Sequence, residues 1–308
     1  MISRAKQFVI ISLATLCAPA FGANPAHPGT INYIEGSAFV AGQPVSQQSV
    51  GTVSLDPGQV LSTENGKAEI LLTPGIYLRL DDDSAVKMVS PDLTLTQLEL
   101  EQGRATVEVD EIHAENDVQI IEARVPTQLL KTGLYEFNAN DDVAAVFKGQ
   151  AAAQVAPNKW VAIKEGHQLA LNDGPRVKSQ HFDQDADKDE LYNWSSLRSE
   201  YLSKANADLS GYYASAGYGP GWYWDPWDYG YTFIGPYPFY SPFGWGFYPF
   251  GYYGGFGYGY YGRGHYYRGG AYRGQVAGGF HGEGGGFHGG GFAGGGGFHG
   301  GGGGGGHR

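Results

Sequence analysis

The sequence predicts an all-β fold: a single antiparallel β-sandwich or β-helix-like domain of short strands, then one helix and a disordered Gly/aromatic-rich tail. Three observations predict it. Apolar residues alternate with polar ones over short runs between Gly29 and Asp173, the period-two mark of half-buried strands. Turn dipeptides punctuate those runs at close to the 8–12 residue spacing usual in all-β domains. From Gly211 onward the composition breaks: 38 of the 51 glycines lie there, Leu is absent, and Ile234 and Val276 are the only β-branched aliphatics.

Taken in order, Ala68, Ile70 and Leu72 alternate with Lys67, Glu69 and Leu71. Ala105, Val107 and Val109 alternate with Thr106, Glu108 and Asp110, and Tyr135, Phe137 and Ala139 with Glu136 and Asn138. Alternation of this kind predicts sheets with one solvated face. The expected turns are Pro57-Gly58, Asn65-Gly66, Pro74-Gly75, Pro91-Asp92, Gln102-Gly103, Lys148-Gly149, Pro157-Asn158 and Glu165-Gly166. Asp187-Lys-Asp-Glu190 has the form of a capping box. Leu191, Trp194, Leu197, Arg198, Tyr201, Leu202 and Ala205 follow at helical spacing, with Glu200 and Lys204 four apart, so a helix should run to about Ser210-Gly211. Its Trp and Tyr stripe is expected to dock on the β domain.

These boundaries divide the chain into a signal peptide (1–22), a β domain (23–173), a linker with an amphipathic helix (174–210) and a low-complexity tail (211–308). Arg4 and Lys6 precede the apolar run Phe8–Cys17 and the small residues of Ala18–Gly22, the layout of a cleaved export signal. The expected location is periplasmic or extracellular, with no transmembrane segment in the mature chain. Cys17 is the only cysteine, so a mature chain would have no disulfide, Cys-ligated metal or Cys nucleophile. Residues 23–210 carry 14 Lys+Arg against 28 Asp+Glu, which argues against nucleic-acid binding, since phosphate contact needs a basic face.

Several stretches resemble, in order, the elements of the FecR-type periplasmic domain. Gly58-Gln-Val-Leu-Ser-Thr63 occupies its turn, with Gln59 where Asp is usual. Asn65–Leu72, Ile76–Leu80 and Ser84–Met88 are similar to the following strands, and Leu98–Ala105 to a hairpin. Val125-Pro126 through Gly133–Phe137 and then Val143–Ala151 are similar to the closing elements. The resemblance implies the fold, a place outside the cytoplasm and binding to an envelope receptor or sensor. FecR regulators carry a cytoplasmic anti-sigma segment and a transmembrane helix ahead of this domain, whereas here the signal leads straight into it.

The tail offers two constellations. Gly221-Trp-Tyr-Trp-Asp-Pro-Trp-Asp228 opens an aromatic block, and the 34 residues between Asp228 and Arg263 carry no formal charge. Their prolines and glycines would leave backbone groups unpaired in hydrocarbon, which excludes a spanning helix. Trp222, Trp224 and Trp227 are the candidate interaction residues, either adhesive or docked on the β domain. Aromatic faces also stack on sugar rings, but a platform needs a rigid scaffold, and glycine supplies the opposite. Phe280-His281, Phe287-His288 and Phe298-His299, with His307, could bind metal weakly, yet their irregular spacing defines no site. No nucleophile elbow or triad stands out, and no cofactor is implied. The sequence therefore predicts a non-catalytic exported module that contacts an envelope protein or surface polymer. A regulatory domain that binds a receptor or sensor is the alternative, and weak metal binding by the His tail is a second one.

Overall fold

The computed structural model describes residues 26–215, 219–225 and 230–249. Fifteen strands join one sheet. The first half comprises β1 (Ile31–Val40), β2 (Gln43–Val45), β3 (Val60–Leu71), β4 (Ile76–Leu80), β5 (Ala85–Asp92), β6 (Leu95–Gln102) and β7 (Arg104–Val109). The second comprises β8 (Val118–Glu122), β9 (Val125–Leu129), β10 (Gly133–Asn138), β11 (Val143–Lys148), β12 (Gln150–Ala156), β13 (Lys159–Lys164), β14 (His167–Ala170) and β15 (Gln180–His181).

β3 is the junction. Val60–Ser62 pair with β5, Ala68–Leu71 pair with β4, and β1 runs antiparallel along its other side. From β3 one arm continues through β5-β6-β8-β9-β12-β13 and the other through β4-β7-β10-β11-β14-β15. Both arms send their inward side chains into one apolar cluster: Val86, Leu98 and Ile120 from the first, Leu78, Val107 and Phe137 from the second. The sheet thus folds over itself as a sandwich. A helical stack would repeat parallel pairing from coil to coil, and among the described residues only β6 and β8 pair in parallel. Each fully buried Val, Leu, Ile or Phe contributes on the order of 1.5–3 kcal/mol.

Of the predicted inward set, Ala68, Ile70, Leu72, Ala105, Val107, Val109, Tyr135 and Phe137 are buried and Ala139 is half-buried. Most predicted turns hold; Gly58, Gly75, Gly103, Gly149 and Gly166 take positive φ there. Two do not: Pro91-Asp92 is the end of β5, with the chain reversing at Leu93-Thr94, and Asn65-Gly66 lies within β3 where that strand pairs with β1 at Gly36. A Cβ on Gly66 would stand 2.3 Å from the Glu35 carbonyl oxygen, so glycine permits the close crossing and makes no turn. The β8–β9 turn, formed by Ala123 and Arg124 at φ 49° and 65°, carries no glycine to announce it.

The helix α1 spans Glu190–Ser215, longer than the expected stop near Ser210-Gly211. Its cap is Asp189, whose Oδ1 accepts the Tyr192 backbone N–H at 3.0 Å, and not Asp187. Lys204 pairs with Asp208 at 3.1 Å, the opposite i,i+4 direction from Glu200. Two hairpins follow: β16 (Gly221–Asp225) with β17 (Gly230–Ile234), and β18 (Phe239–Tyr240) with β19 (Gly246–Phe247). The composition of the tail predicted no fixed structure here. These hairpins lean on existing surfaces: Tyr231, Phe233 and Phe247 pack with Leu71 and Tyr77 of the sheet and Leu202 of α1. Residues 250–308, including His281, His288, His299 and His307, lie outside the described residues, as does the segment 1–22. Among the described residues no helix is long and apolar enough to cross a membrane.

Candidate functional site

β3, β4 and β7 do not have a solvated outer face. Their outward positions Lys67, Glu69, Leu71, Tyr77, Arg79, Thr106, Glu108 and Asp110 are all buried. Antiparallel register lines them up in rows. Tyr33, Glu69, Arg79, Thr106 and Glu136 stand side by side across β1, β3, β4, β7 and β10. Leu71, Tyr77, Glu108 and Leu134 form the adjoining row. α1 and the first hairpin lie over these rows, and their own polar groups meet those of the sheet.

Arg79 is the centre. Its Nε reaches Glu69 Oε2 at 2.7 Å and its Nη1 reaches Glu108 Oε2 at 2.5 Å, with all three side chains fully buried. From α1, Arg198 Nη2 meets Glu69 Oε1 at 3.1 Å and Ser199 Oγ donates to Glu108 Oε1 at 2.6 Å. Ser195 and Thr106 share a hydroxyl hydrogen bond at 2.8 Å. The Arg198 guanidinium also sits over the Tyr33 ring, 3.9 Å from its centroid. From β1, Asn32 Nδ2 donates to Glu69 Oε1 at 2.8 Å and to the Tyr231 carbonyl at 3.0 Å, while its Oδ1 accepts the Tyr231 N–H at 2.5 Å. Sheet, helix and hairpin are tied through one network. Two arginines face two glutamates, so formal charge cancels inside it.

Protonation follows from these neighbours. Burial pushes the Glu69 carboxyl up, but the charges of Arg198 and Arg79 outweigh it and hold its pKa below the usual range. For Asp110 the balance is reversed: burial first, and then the neighbouring Glu108 charge, raise it well above an ordinary carboxyl, against the opposing charge of Arg79. Burial, then the Asp110 carboxyl, also lifts the Tyr77 phenol.

A second set of contacts holds the start of α1. Arg104 of β7 reaches Glu136 Oε1 at 2.7 Å and pairs with the cap residue Asp189. Trp194 Nε1 donates to Glu35 at 2.9 Å, and Lys67 reaches Asp81 at 2.6 Å and Glu190 at 3.5 Å. A polar groove of about 470 Å³ opens beside them, between Glu136, Phe147 and Asp187. Burial pushes Glu136 up to about 7 despite Arg104, and Asp189 and Asp187 add to the shift. Among the described residues no three His, Cys, Asp or Glu side chains converge on a cation site.

Of the sequence-predicted residues, Trp222 and Trp224 stand on β16, paired across the hairpin with Phe233 and Tyr231. Both are half-buried against the cluster shared by sheet and helix, and Trp224 meets the Tyr231 ring at 5.2 Å. Trp227 lies outside the described residues. Glu69, Arg79, Glu108 and Arg198 were not singled out by sequence: an outward charged residue in a strand reads as solvated unless its cover is known. Arg198 falling among the apolar positions of α1 was the one available sign.

The molecule is thus a β-sandwich whose charged outer face is closed by the helix and hairpins that follow it. Residues 59–152 match the family model described as FecR protein, so this part of the chain is similar to a FecR-type domain. The match holds Glu69, Arg79 and Glu108; the covering residues from Arg198 to Tyr231 lie outside it. Two crystal structures of a "putative anti-sigma factor" from Parabacteroides distasonis are similar to the chain at 13% and 12% identity, each with a TM-score of 0.34. They cover 41% and 48% of this chain. The chain in turn spans 60% of the first and 71% of the second. No curated protein matches the chain.

Proposed function

We propose that the chain is an exported, non-catalytic, FecR-type regulatory module that works by binding another protein of the cell envelope. The observation that carries this reading is the FecR match over residues 59–152, the family in whose company signal-relaying domains are found. The covered face suggests how a polypeptide would be recognised: Glu69 and Glu108 take an arginine and a serine from α1, so a partner helix with the same pattern could occupy that face in its place. A photo-crosslinker at Leu197, which is exposed on α1, tests this in cells. One discrete protein adduct is expected, strengthened by Arg198→Ala, which loosens α1 from the face the partner would occupy; adducts with lipid or glycan alone, or none, would refute it.

A second reading, retention on a surface through the aromatic segment, is favoured by one observation. Tyr237 and Tyr240 are 76% and 78% exposed on a part of the chain without charge. Many weak contacts of that kind add up.

A further inference from the structure

Among the described residues the sheet ends on three strands, and they are unequal. β2 and β15 are three and two residues long, too short to template a further strand. β13 runs for six residues, Lys159–Lys164, with no proline among them, and the strand it pairs with is β12.

The ladder shows which groups of β13 face the open side. Just past β9, the Leu130 N–H donates to the Gln150 carbonyl at 2.9 Å, so the backbone groups of Gln150 turn toward β9. Successive residues alternate, so those of Ala151 and Ala153 turn toward β13, where they meet Ile163 and Val161. The N–H and C=O groups of Trp160, Ala162 and Lys164 are thereby left along the edge. The side chains of these three residues are exposed, Trp160 by 45%, whereas Val161 and Ile163 turn into the core.

We propose that β13 pairs antiparallel with β13 of a second copy of this chain, with the two-fold axis at Ala162. In that register the edge groups of Trp160, Ala162 and Lys164 meet those of Lys164, Ala162 and Trp160 of the second copy, and each pair exchanges both hydrogen bonds. The side chains match as well. Trp160 stands opposite Lys164 of the second copy, about 5.5 Å away at Cα, so an ammonium and its apolar stem can lie over the indole. Val161 stands opposite Ile163 on the core side. Lysine on an edge commonly deters pairing, but here Lys159 falls opposite Glu165, and no like charges meet along the pair. A foreign strand would have to bring this order of side chains, whereas a second copy brings it by symmetry. The edge holds none of the residues of the covered face, so this inference goes beyond the protein-binding reading and stands apart from it.

The test is sedimentation equilibrium of the full chain and of two variants, Ala162→Lys and Ala162→Glu, each of which sets like charges against each other at the axis. The wild type should dimerise with a Kd of about 10 μM or below, and each variant alone at least about tenfold more weakly. An equimolar mixture of the two variants should recover the dimer, because Lys then meets Glu. A variant that had merely misfolded would not be rescued by mixing, which keeps the test independent of folding. A wild type still monomeric at about 100 μM, variants that dimerise as tightly as the wild type, or a mixture no more dimeric than either variant alone would overturn the proposal.

Discussion

Arg79 shows what a single residue can hold together. With Glu69 and Glu108 it forms a fully buried ion cluster that Arg198 completes from the helix. Burying four charges gains little net stability over well-packed apolar residues, but removing one partner strands the others. Arg79→Met should therefore cost about 3–5 kcal/mol, read as a lower urea midpoint. Glu69→Gln should cost less, because it leaves Arg79 a partner in Glu108. Glu122 makes a second residue-scale prediction. It is buried at the end of β8, and burial, then the Asp142 charge, raise its carboxyl from 4.5 to about 8. Between those values the folded chain holds a proton that the unfolded chain has lost. Stability must then fall as pH rises through that window, by up to about 1.4 kcal/mol per pH unit, and level off above it. Glu136, raised to about 7, acts in the same sense over a narrower range. Glu122→Gln cannot ionise, so its stability should gain steadily on wild type between about pH 5 and 8; parallel curves would show that Glu122 is already ionised in the fold.

Among the elements, β3 bears most on the architecture, since it feeds both arms. It does so by crossing β1 with glycine against glycine, and a methyl group on Gly66 would also lie 2.5 Å from the Ser37 nitrogen. Gly66→Ala should lower the unfolding free energy by about 1–3 kcal/mol or more, whereas Gly211→Ala in α1, with open space at its Cβ and a helical backbone, should cost nothing. Sequence patterning anticipated the inward residues of β3, β7 and β10, because a period of two is a local property. It took Asn65-Gly66 for a turn, since that dipeptide carries the same signal whether the chain reverses or merely crosses a neighbour. For α1 it found the position and most of the docking face, since Leu191, Trp194, Leu202 and Ala205 are buried, but not the polar residues beside them. The helix buries Ser195, Arg198, Ser199 and Asn206, a polar stripe that only the charges beneath it explain, and leaves Leu197 and Tyr201 exposed. Asn206 is the clearest case: wholly buried, it bonds Phe233 and Tyr248 and so clamps both hairpins to the helix. Asn206→Ala should speed hydrogen exchange across residues 221–248 while protection in β3, β4 and β7 persists; uniform loss of protection would mean that hairpins and sheet open as one unit.

At the scale of the molecule, the change of composition at Gly211 does not coincide with the edge of the folded part. Low Leu content and many glycines argue that a segment cannot build its own core, and residues 219–249 do not. They complete someone else's: Phe233 and Phe247 fill space between α1 and the sheet, and Thr232 and Ser203 supply the hydrogen bonds that a self-contained hairpin would lack. A sequence window sees the composition of the segment but not the surface waiting for it. This sets where the chain can be cut. Ending it at residue 249 retains every described contact of the cover and should leave the thermal midpoint within a degree or two of the full chain. Ending it at residue 210 removes both hairpins, uncovers Leu71, Tyr77 and Leu202, and leaves Asn32 and Asn206 without their backbone partners. Buried polar groups stranded in this way cost about 1–3 kcal/mol each, so the shorter form should melt well below the longer one and bind an apolar dye that the longer one excludes. Equal melting of the two forms would show that the hairpins ride on the domain without supporting it. Any loss of envelope association in a chain ending at 249 could then be assigned to residues 250–308 alone, which a cut at 210 could never do.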